Sequence, residues 1–382
     1  MTNLIVEVSK YLMILLMAIY TYANFRFFSF PDLERKRKVC ARQNRAMFLL
    51  HFLAYLVMYL KTEDETLRRM LLVFYMGQVV FFLFYIYIYR FIYRNVSRLL
   101  VNNCCMLLAC GFIMLTRLSL DKGLDKAFKQ FVIVAAAAIL SWLVPFIMER
   151  FWQLYKFQWL YGGIGLAALL LVWVAGNESF GAQLSLTVGG ISIQPSEFVK
   201  ISFVFFVASM FYQSLDFKNI CITTVVAALH VVILVLSKDL GSALIFFISY
   251  VIMLFIATGN WLYLIAAGVL GKGATSIAYT LFDHVRRRFT AWKNPWADID
   301  NTGYQITQSL FAIGTGGWFG MGLCQGMPGK IPVVEKDFIF SAISEELGGI
   351  YALCLILICL GCFLQFVLLA AQMQALFFQL IA

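Results

Sequence analysis

The acidic residues of one apolar stretch, IPVVEKDFIFSAISEELGG (331–349), are the first candidates for chemistry in this sequence. Asp337 stands directly before an apolar run, and Glu345 and Glu346 lie next to each other within that run. Charged groups close to hydrocarbon are usually paired, facing water or functional. Asp337 has two open interpretations: a cap for the following helix, or a general base at the boundary between water and membrane.

The segment that precedes this stretch combines cations, amides and glycines. A connector this long within a compact membrane bundle is usually functional, although a flexible linker is the alternative interpretation. Glycines in such a segment allow close approaches between backbones, so we expect an ordered loop. The residues concerned are Arg286, Arg287, Arg288, Gln305, Gln308, Ser309 and the run GTGGWFGMG (314–322).

Two shorter motifs also place charges near the ends of apolar segments. In QPSEFVK (194–200), Glu197 and Lys200 are three residues apart and share a helix face, where they can form an ion pair. In KDLGSAL (238–244), Asp239 is a reasonable cap for the next helix. Local structure alone explains either motif, so neither one by itself indicates a function.

Composition decides which elements must position these residues. Of 382 residues, 62% are hydrophobic and 13% charged, and mean hydropathy is +0.84. Apolar runs near twenty residues recur throughout, and membrane-buried backbone must satisfy its own hydrogen bonds, so the chain is predicted to be an all-α polytopic membrane protein. A long external loop, 283–344, precedes the last span. The eleven or so expected spans are 4–28, 45–60, 70–93, 98–116, 131–148, 157–175, 196–212, 219–236, 240–258, 261–282 and 345–371.

The net charge of +10 does not indicate a nucleic-acid partner, because its densest run lies between two apolar segments. A basic loop at 29–44 is the usual positive-inside signal, and it faces the anionic inner leaflet. Alternation from there puts 61–66, 118–130, 176–195 and the loop after Asp283 outside. The first apolar segment is expected to be a retained span, not a signal peptide. The nine cysteines predict neither disulfides nor a metal site, and no nucleotide-binding motif indicates a pump.

Together these motifs resemble the SEDS family (shape, elongation, division and sporulation), which includes the FtsW, RodA and SpoVE proteins. The similarity runs in the family's order through QPSEFVK, KDLGSAL, NPWADIDNTGYQITQSLFAIGTGGWFGMGL and IPVVEKDFIFSAISEELGG. It extends over about residues 98–371. This combination is far more specific than any short pattern.

The resemblance implies a peptidoglycan glycosyltransferase that polymerises lipid II at the outer face of the bacterial cytoplasmic membrane, in elongation, division or sporulation. Asp337, in the family's DFIF motif, would be the catalytic residue and would deprotonate the acceptor hydroxyl. Undecaprenyl pyrophosphate would leave, stabilised by Arg287, Arg288, Lys200 or Lys330, with Mg²⁺ or Mn²⁺ as a possible cofactor. The expected partners are a class B penicillin-binding protein, lipid II and membrane lipids. Supporting roles fall to Glu197, Asp239, Gln305, Gln308, Ser309, Glu345 and Glu346.

The domain organisation departs from the family's. Residues 1–97 are expected to form three additional N-terminal spans, 98–371 the catalytic membrane domain without the family's last two helices, and 372–382 a tail. The additional spans would form a docking surface. Two other functions stay open: a lipid II flippase or transporter with Glu197, Lys200 and Lys272 in its path, and a non-catalytic scaffold for a penicillin-binding protein. A flippase needs no base in an external loop, whereas a polymerase does.

Overall fold

The computed structural model describes residues 2–150, 152–179, 182–188 and 191–382, and nearly all of them are helical. The first helices are α1 (Thr2–Arg26), α2 (Leu33–Lys61), α3 (Glu65–Ile92), α4 (Arg98–Ser119), α5 (Asp125–Arg150), α6 (Gln158–Ala175), α7 (Pro195–Gln213) and α8 (Phe217–Leu236). They continue as α9 (Leu240–Thr258), α10 (Trp261–Leu281), α11 (Asp283–Lys293), α12 (Tyr304–Gly316), α13 (Ile339–Leu347), α14 (Gly349–Ala371) and α15 (Leu376–Ile381). The predicted all-α membrane fold is confirmed.

Ten helices in the described ranges are long and apolar enough to span a membrane. The predicted basic loop at 29–44 is mostly helical, because α2 begins at Leu33 and continues through the expected span at 45–60. Glu34 and the following lysines and arginines have good helix propensity, and i,i+4 pairs such as Lys38–Glu34, 2.7 Å, support the helix. The cationic residues therefore extend the apolar part of α2 toward its N-terminus, and they still lie between it and α1.

The segment 176–195, expected as a loop, contains a small antiparallel sheet in its described part. Its strands are β1 (Asn177–Ser179), β2 (Ala182–Val188) and β3 (Ile191–Ile193), in the order β1-β2-β3. Ser179 pairs with Ala182, and Leu186 pairs with Ile193. The sequence AQLSLTV alternates apolar and polar residues from Leu184 onward, which is the period of a strand.

The break at Gly348 corrects the prediction of one span over 345–371. Gly348 has a φ of 92°, in the left-handed region that glycine tolerates, and it separates α13 from α14. Glu345 and Glu346 therefore lie in a short helix of their own, before the last membrane helix. The loop predicted at 118–130 is also shorter than expected, since α5 already begins at Asp125.

The chain divides into two compact units: Met1–Val144 with Phe282–Gln365, and Pro145–Leu281 with Phe366–Ala382. In the first unit, buried polar side chains join the N-terminal helices to the rest. The Tyr20 hydroxyl donates to Asn103 Oδ1 at 3.0 Å, and Asn103 Nδ2 donates to Asn24 Oδ1 at 2.8 Å. The ring of Tyr11 also packs on Phe319, with 5.7 Å between centroids. Helix α1 is thus an internal part of the unit that contains Asp337.

The second unit has an aromatic core on α7 and α9. Phe203, Phe206 and Phe246 are fully buried there, and the rings of Phe203 and Phe246 lie 4.7 Å apart. The segment 372–382, expected as a tail, contains α15, whose Phe377 and Leu380 are buried in the same core. Burial of this apolar surface is what holds the terminal helix in place.

Candidate functional site

Asp337 lies in the turn before α13 and its side chain is exposed. The cap residue of α13 is Phe338, and it makes no side-chain capping bond. Among the described residues Asp337 makes no hydrogen bond and no ion pair, whereas Glu335, two residues earlier, pairs with Lys126 at 2.7 Å. The sequence left two interpretations of Asp337 open, a helix cap and a general base. The structure excludes the helix cap.

Below this turn, Glu346 is fully buried and forms an ion pair with Arg117 at the end of α4. Arg117 Nε donates to Glu346 Oε1 at 2.9 Å, and its Nη2 donates to the carbonyl of Gly326 at 3.3 Å. Burial raises the pKa of Glu346, and the nearby Arg117 charge opposes that rise. The guanidinium thus joins α4, α13 and the segment 317–327 between α12 and Pro328, called the glycine-rich loop from here on.

Glu345 faces the other side of the same loop. Its Oε1 accepts a hydrogen bond from the backbone N–H of Met327 at 2.9 Å, and its side chain is almost fully buried. A Cβ on Gly326 would lie 3.1 Å from Glu345 Cδ and 2.9 Å from Glu346 Cγ. Only a glycine lets the loop approach both carboxylates without displacing them.

The expected ordered glycine loop with close backbone approaches is confirmed. Met321 N–H donates to the carbonyl of Glu345 at 2.9 Å, and Gly349 N–H donates to the carbonyl of Gly317 at 2.8 Å. Gly320 has a φ of 72°, and a Cβ there would overlap the backbone at Glu346. The loop is thereby held to the end of α13 by backbone hydrogen bonds.

Helix α12 supplies the amides predicted for the site. Ser309 is buried, and its hydroxyl lies 2.5 Å from that of Ser341, which connects α12 to α13. Gln308 is half-buried and faces a cavity of about 250 Å³ that Lys330 and Glu345 also line. Gln305 is exposed. The structure therefore brings Gln308, Lys330 and Glu345 together around one cavity.

The predicted arginines lie on α11 in the same unit. Arg286 forms an ion pair with Asp283, with 3.7 Å between Nη1 and Oδ1. Arg287 and Arg288 are exposed. Within the described part of the chain, neither Arg287 nor Arg288 forms an ion pair. Cationic side chains in this state are available for an anionic ligand.

Three predicted residues lie in the second unit and have local contacts there. Lys200 Nζ is 2.7 Å from Glu197 Oε2, as their spacing predicted. Asp239 caps α9 by accepting a hydrogen bond from the Ser242 N–H at 3.1 Å. These contacts confirm the structural interpretation of the two motifs, and the catalytic roles implied for these residues stay predictions.

Sequence reasoning missed Arg117, Gln325 and Lys126. Arg117 and Glu346 are 229 positions apart, so no spacing rule connects them. An arginine at the end of an apolar span is itself a signal, because such a charge needs a partner or water. Among described residues, no three His, Cys, Asp or Glu side chains come together as metal ligands.

Comparison with known proteins identifies the family. The model of the FtsW/RodA/SpoVE family, described as cell cycle proteins, matches residues 97–382. This chain belongs to the FtsW/RodA/SpoVE family. The SEDS resemblance of the motifs is therefore confirmed, and Asp337 lies within the matched range.

Among the family's members, the chain is 31% identical to the peptidoglycan glycosyltransferase RodA of Mycobacterium tuberculosis, over 65% of this chain and 59% of that protein. It is 32% identical to the probable peptidoglycan glycosyltransferase FtsW of Escherichia coli O157:H7, over 63% and 61% of the two chains. The chain thus spans about three fifths of the length of these relatives.

Solved structures show the same fold. A chain from a structure described as "Structural coordination of polymerization and crosslinking by a peptidoglycan synthase complex" is 22% identical, with a TM-score of 0.64 over 75% of this chain and 82% of its own. The RodA protein of Thermus thermophilus gives a TM-score of 0.54 over 76% and 80% of the two chains, at 20% identity. The chain is a multi-pass membrane protein with the RodA fold.

Proposed function

We propose that this protein is a peptidoglycan glycosyltransferase that polymerises lipid II. The observation that supports it best is Asp337 itself, an exposed carboxylate that neither caps a helix nor forms an ion pair among the described residues. It stands at the DFIF motif of a family whose members include proteins named peptidoglycan glycosyltransferases. An exposed carboxylate without such partners is suited to proton transfer.

In the proposed reaction Asp337 accepts the proton of the acceptor sugar's hydroxyl. The hydroxyl oxygen then bonds to the donor's anomeric carbon as the bond from that carbon to the pyrophosphate oxygen breaks, with inversion. The negative charge that develops on undecaprenyl pyrophosphate is stabilised by the cations of the first unit, Lys330, Arg287 and Arg288. Lys200, already paired with Glu197, is a further predicted contributor.

The buried pair beneath Asp337 has a positioning role. Arg117 and Glu346 hold the glycine-rich loop against α13, and α13 begins directly after Asp337 and Phe338. A base must lie within hydrogen-bond reach of the proton it removes. Arg117 and Glu346 would therefore keep Asp337 in place by fixing the position of α13.

A divalent cation would have to come with the substrate, because the described residues form no cluster of three acidic, His or Cys ligands. Mg²⁺ binds readily through one carboxylate together with substrate phosphates and water, so Asp337 and the pyrophosphate fit that arrangement. When bound, such an ion would neutralise phosphate charge.

The proposed location is the outer face of the bacterial cytoplasmic membrane. The proposed partner is a class B penicillin-binding protein, since the related chain of known structure comes from a complex whose description couples polymerisation to crosslinking. The two activities together would make and crosslink glycan strands, in elongation, division or sporulation.

The test is lipid II polymerisation by the purified 382-residue chain, with and without such a partner. Asp337→Asn should lower the rate by about 10²- to 10⁴-fold, the usual contribution of a general base. Asp300→Asn removes another exposed aspartate of the same unit and should leave the rate unchanged. Equal rates for wild type and Asp337→Asn would remove the base from its role. No glycan from the wild type with its partner, but lipid II movement across vesicles, would favour the transporter, and neither activity would favour the scaffold.

A further inference from the structure

Lys272 on α10 is a charged residue that neither the proposed reaction nor the packing of the second unit uses. Helix α10 (Trp261–Leu281) is long and apolar enough to span a membrane, and Lys272 lies about midway along it. At 1.5 Å per residue, its Cα is about 15 Å from either end of the helix, which is the middle of a typical hydrocarbon core. Its side chain is exposed and, among the described residues, forms neither a hydrogen bond nor an ion pair.

An unpaired ammonium at this depth is unfavourable. Lysine is among the residues that insert least readily at the centre of a membrane helix. Lysines near the ends of a span avoid this cost because their side chains reach the interface. Lys272 is about two and a half turns or more from either end of α10, too deep for that solution. In the working protein, Lys272 is therefore expected to face a group that compensates its charge.

The described part of the chain supplies no such group. In its long helices, α1–α10 and α14, every acidic residue lies within about two turns of one end, close to a membrane surface. These residues are Glu7, Glu34, Glu65, Asp125, Glu149 and Glu197. A second copy of this chain would bring another Lys272 and, from the same helices, no carboxylate at its depth. The compensating group must therefore come from a different molecule.

The face of α10 that carries Lys272 has room for another helix. A different side of α10 packs on α9, where a Cβ on Gly271 would lie 3.1 Å from the ring of Phe247. One turn before Lys272 lies Gly268, where a Cβ would meet nothing within 4 Å, and one turn after it lies Ser276. Small residues at i−4 and i+4 share the face of Lys272 and allow a second backbone to approach closely. No described residue of α10 is buried.

The depth of Lys272 decides which anion can reach it. Lipid phosphates lie in the headgroup region, about 15 Å from the middle of the bilayer. An aspartate or glutamate in the middle of another membrane helix lies at the depth of Lys272, and the low dielectric of hydrocarbon strengthens its attraction to the ammonium. Charged residues within membrane spans are typically paired with one another in this way.

We propose that α10 is a docking surface for a transmembrane helix of another polypeptide, one that carries an aspartate or glutamate near the middle of its span. Lys272 pairs with that carboxylate, and Gly268 and Ser276 let the two helices approach. The interaction is separate from the proposed transferase reaction, which uses no residue of α10.

The test measures association of model transmembrane peptides with the purified full chain in nanodiscs, by energy transfer from its tryptophans to a dansyl group on the peptide. The probe is a leucine–alanine helix with one aspartate at its centre. Two reference peptides carry alanine at the centre, or the aspartate near one end. The wild type should bind the central-aspartate peptide about tenfold more tightly than either reference, a size typical of polar contacts between membrane helices.

Lys272→Leu should abolish this preference. Because Lys272 is exposed and unpaired within the described chain, its replacement should not lower the unfolding temperature, so a lost preference would not reflect unfolding. Lys218→Leu is the matched control, since Lys218 is an exposed lysine of the same unit at the start of α8, and it should keep the preference. Lys272→Glu should reverse the specificity and favour a peptide with a central lysine.

Three results would overturn the proposal. Equal or undetectable binding of the three peptides by the wild type would show that α10 does not select a central carboxylate. A preference that survives Lys272→Leu would remove Lys272 from the contact, and equally tight binding of the end-aspartate peptide would place the contact at the membrane surface. If no peptide is preferred and Lys272→Leu instead abolishes lipid II movement across vesicles, Lys272 belongs to a transport path.

Discussion

Two glutamate ion pairs in this molecule have nearly equal lengths and opposite surroundings. Arg117 and Glu346 are 2.9 Å apart with side chains 14% and 0% exposed, while Lys200 and Glu197 are 2.7 Å apart at 29% and 57% exposed. Glu197 and Lys200 are neighbours on one helix, whereas Arg117 and Glu346 come from distant parts of the chain. Burial, not distance, therefore decides which pair the fold depends on, because water screens the exposed charges.

The largest effect is expected when the buried cation is removed. Arg117→Met leaves the Glu346 carboxylate buried without its counter-charge, which typically costs about 3–5 kcal/mol. Thermal unfolding in detergent, followed by tryptophan fluorescence, should show a large drop in the unfolding temperature. The double variant Arg117→Met/Glu346→Leu should recover most of it, since apolar replacement of both partners is often neutral. An unchanged unfolding temperature for Arg117→Met would mean that the pair does not hold the loop.

A second prediction concerns the loop that this pair fixes. Gly320→Ala adds a Cβ that overlaps the backbone at Glu346, at a φ of 72°. We expect a loss of about 1–3 kcal/mol, together with faster proteolysis of the loop, because strained backbone is costly. Gly314→Ala is the matched control: its Cβ meets nothing within 4 Å, so the change should stabilise α12 by about 0.5–1 kcal/mol. Equal effects of the two variants would show that the close approach to α13 is not needed.

A third prediction concerns the pH dependence of stability at the buried pair. Burial raises the pKa of Glu346 above its ordinary value of 4.5, so the folded state holds that proton more tightly than the unfolded state. The contribution of Glu346 is therefore fully present below pH 4.5 and is lost as pH rises through the raised pKa. Glu346→Gln should remove the part of the pH dependence of stability that Glu346 contributes. The unfolding temperature of the wild type minus that of the variant should therefore fall as pH increases. A difference that stays constant with pH would contradict the burial effect.

The smallest effect is expected at the exposed pair. Lys200→Ala removes an i,i+3 contact that solvent already weakens, and such pairs contribute about 0–1 kcal/mol. The unfolding temperature should change little, and the change should shrink further in high salt. A loss as large as that of Arg117→Met would mean that Lys200 has a buried role in the working protein. Lipid II polymerisation by the same variant would then test its predicted contact with pyrophosphate.

The sequence predicted the helical segments well because their signal is local. Apolar runs near twenty residues correctly located most membrane helices, and the motif around Asp337 correctly indicated the family. Errors arose where a helix crossed a change in polarity, as in α2, or where one glycine divided an apolar run, as at Gly348. Average hydropathy misplaces both boundaries: it falls over the cations of α2 although the helix continues there, and it does not change at the single left-handed residue Gly348.

The amino-acid sequence by itself determined the membrane class, the family and the position of the one aspartate that precedes the FIF run. Those properties depend on amino-acid composition and on motifs of neighbouring residues, which can be read from the sequence without knowing the fold. Only the tertiary structure decided that Arg117 meets Glu346, that Gly326 lets the loop reach two carboxylates, and that Gln308, Gln325 and Glu345 surround one cavity. These are contacts between residues far apart in the chain, and they exist because burying a charge or a polar group requires a partner that only folding can bring.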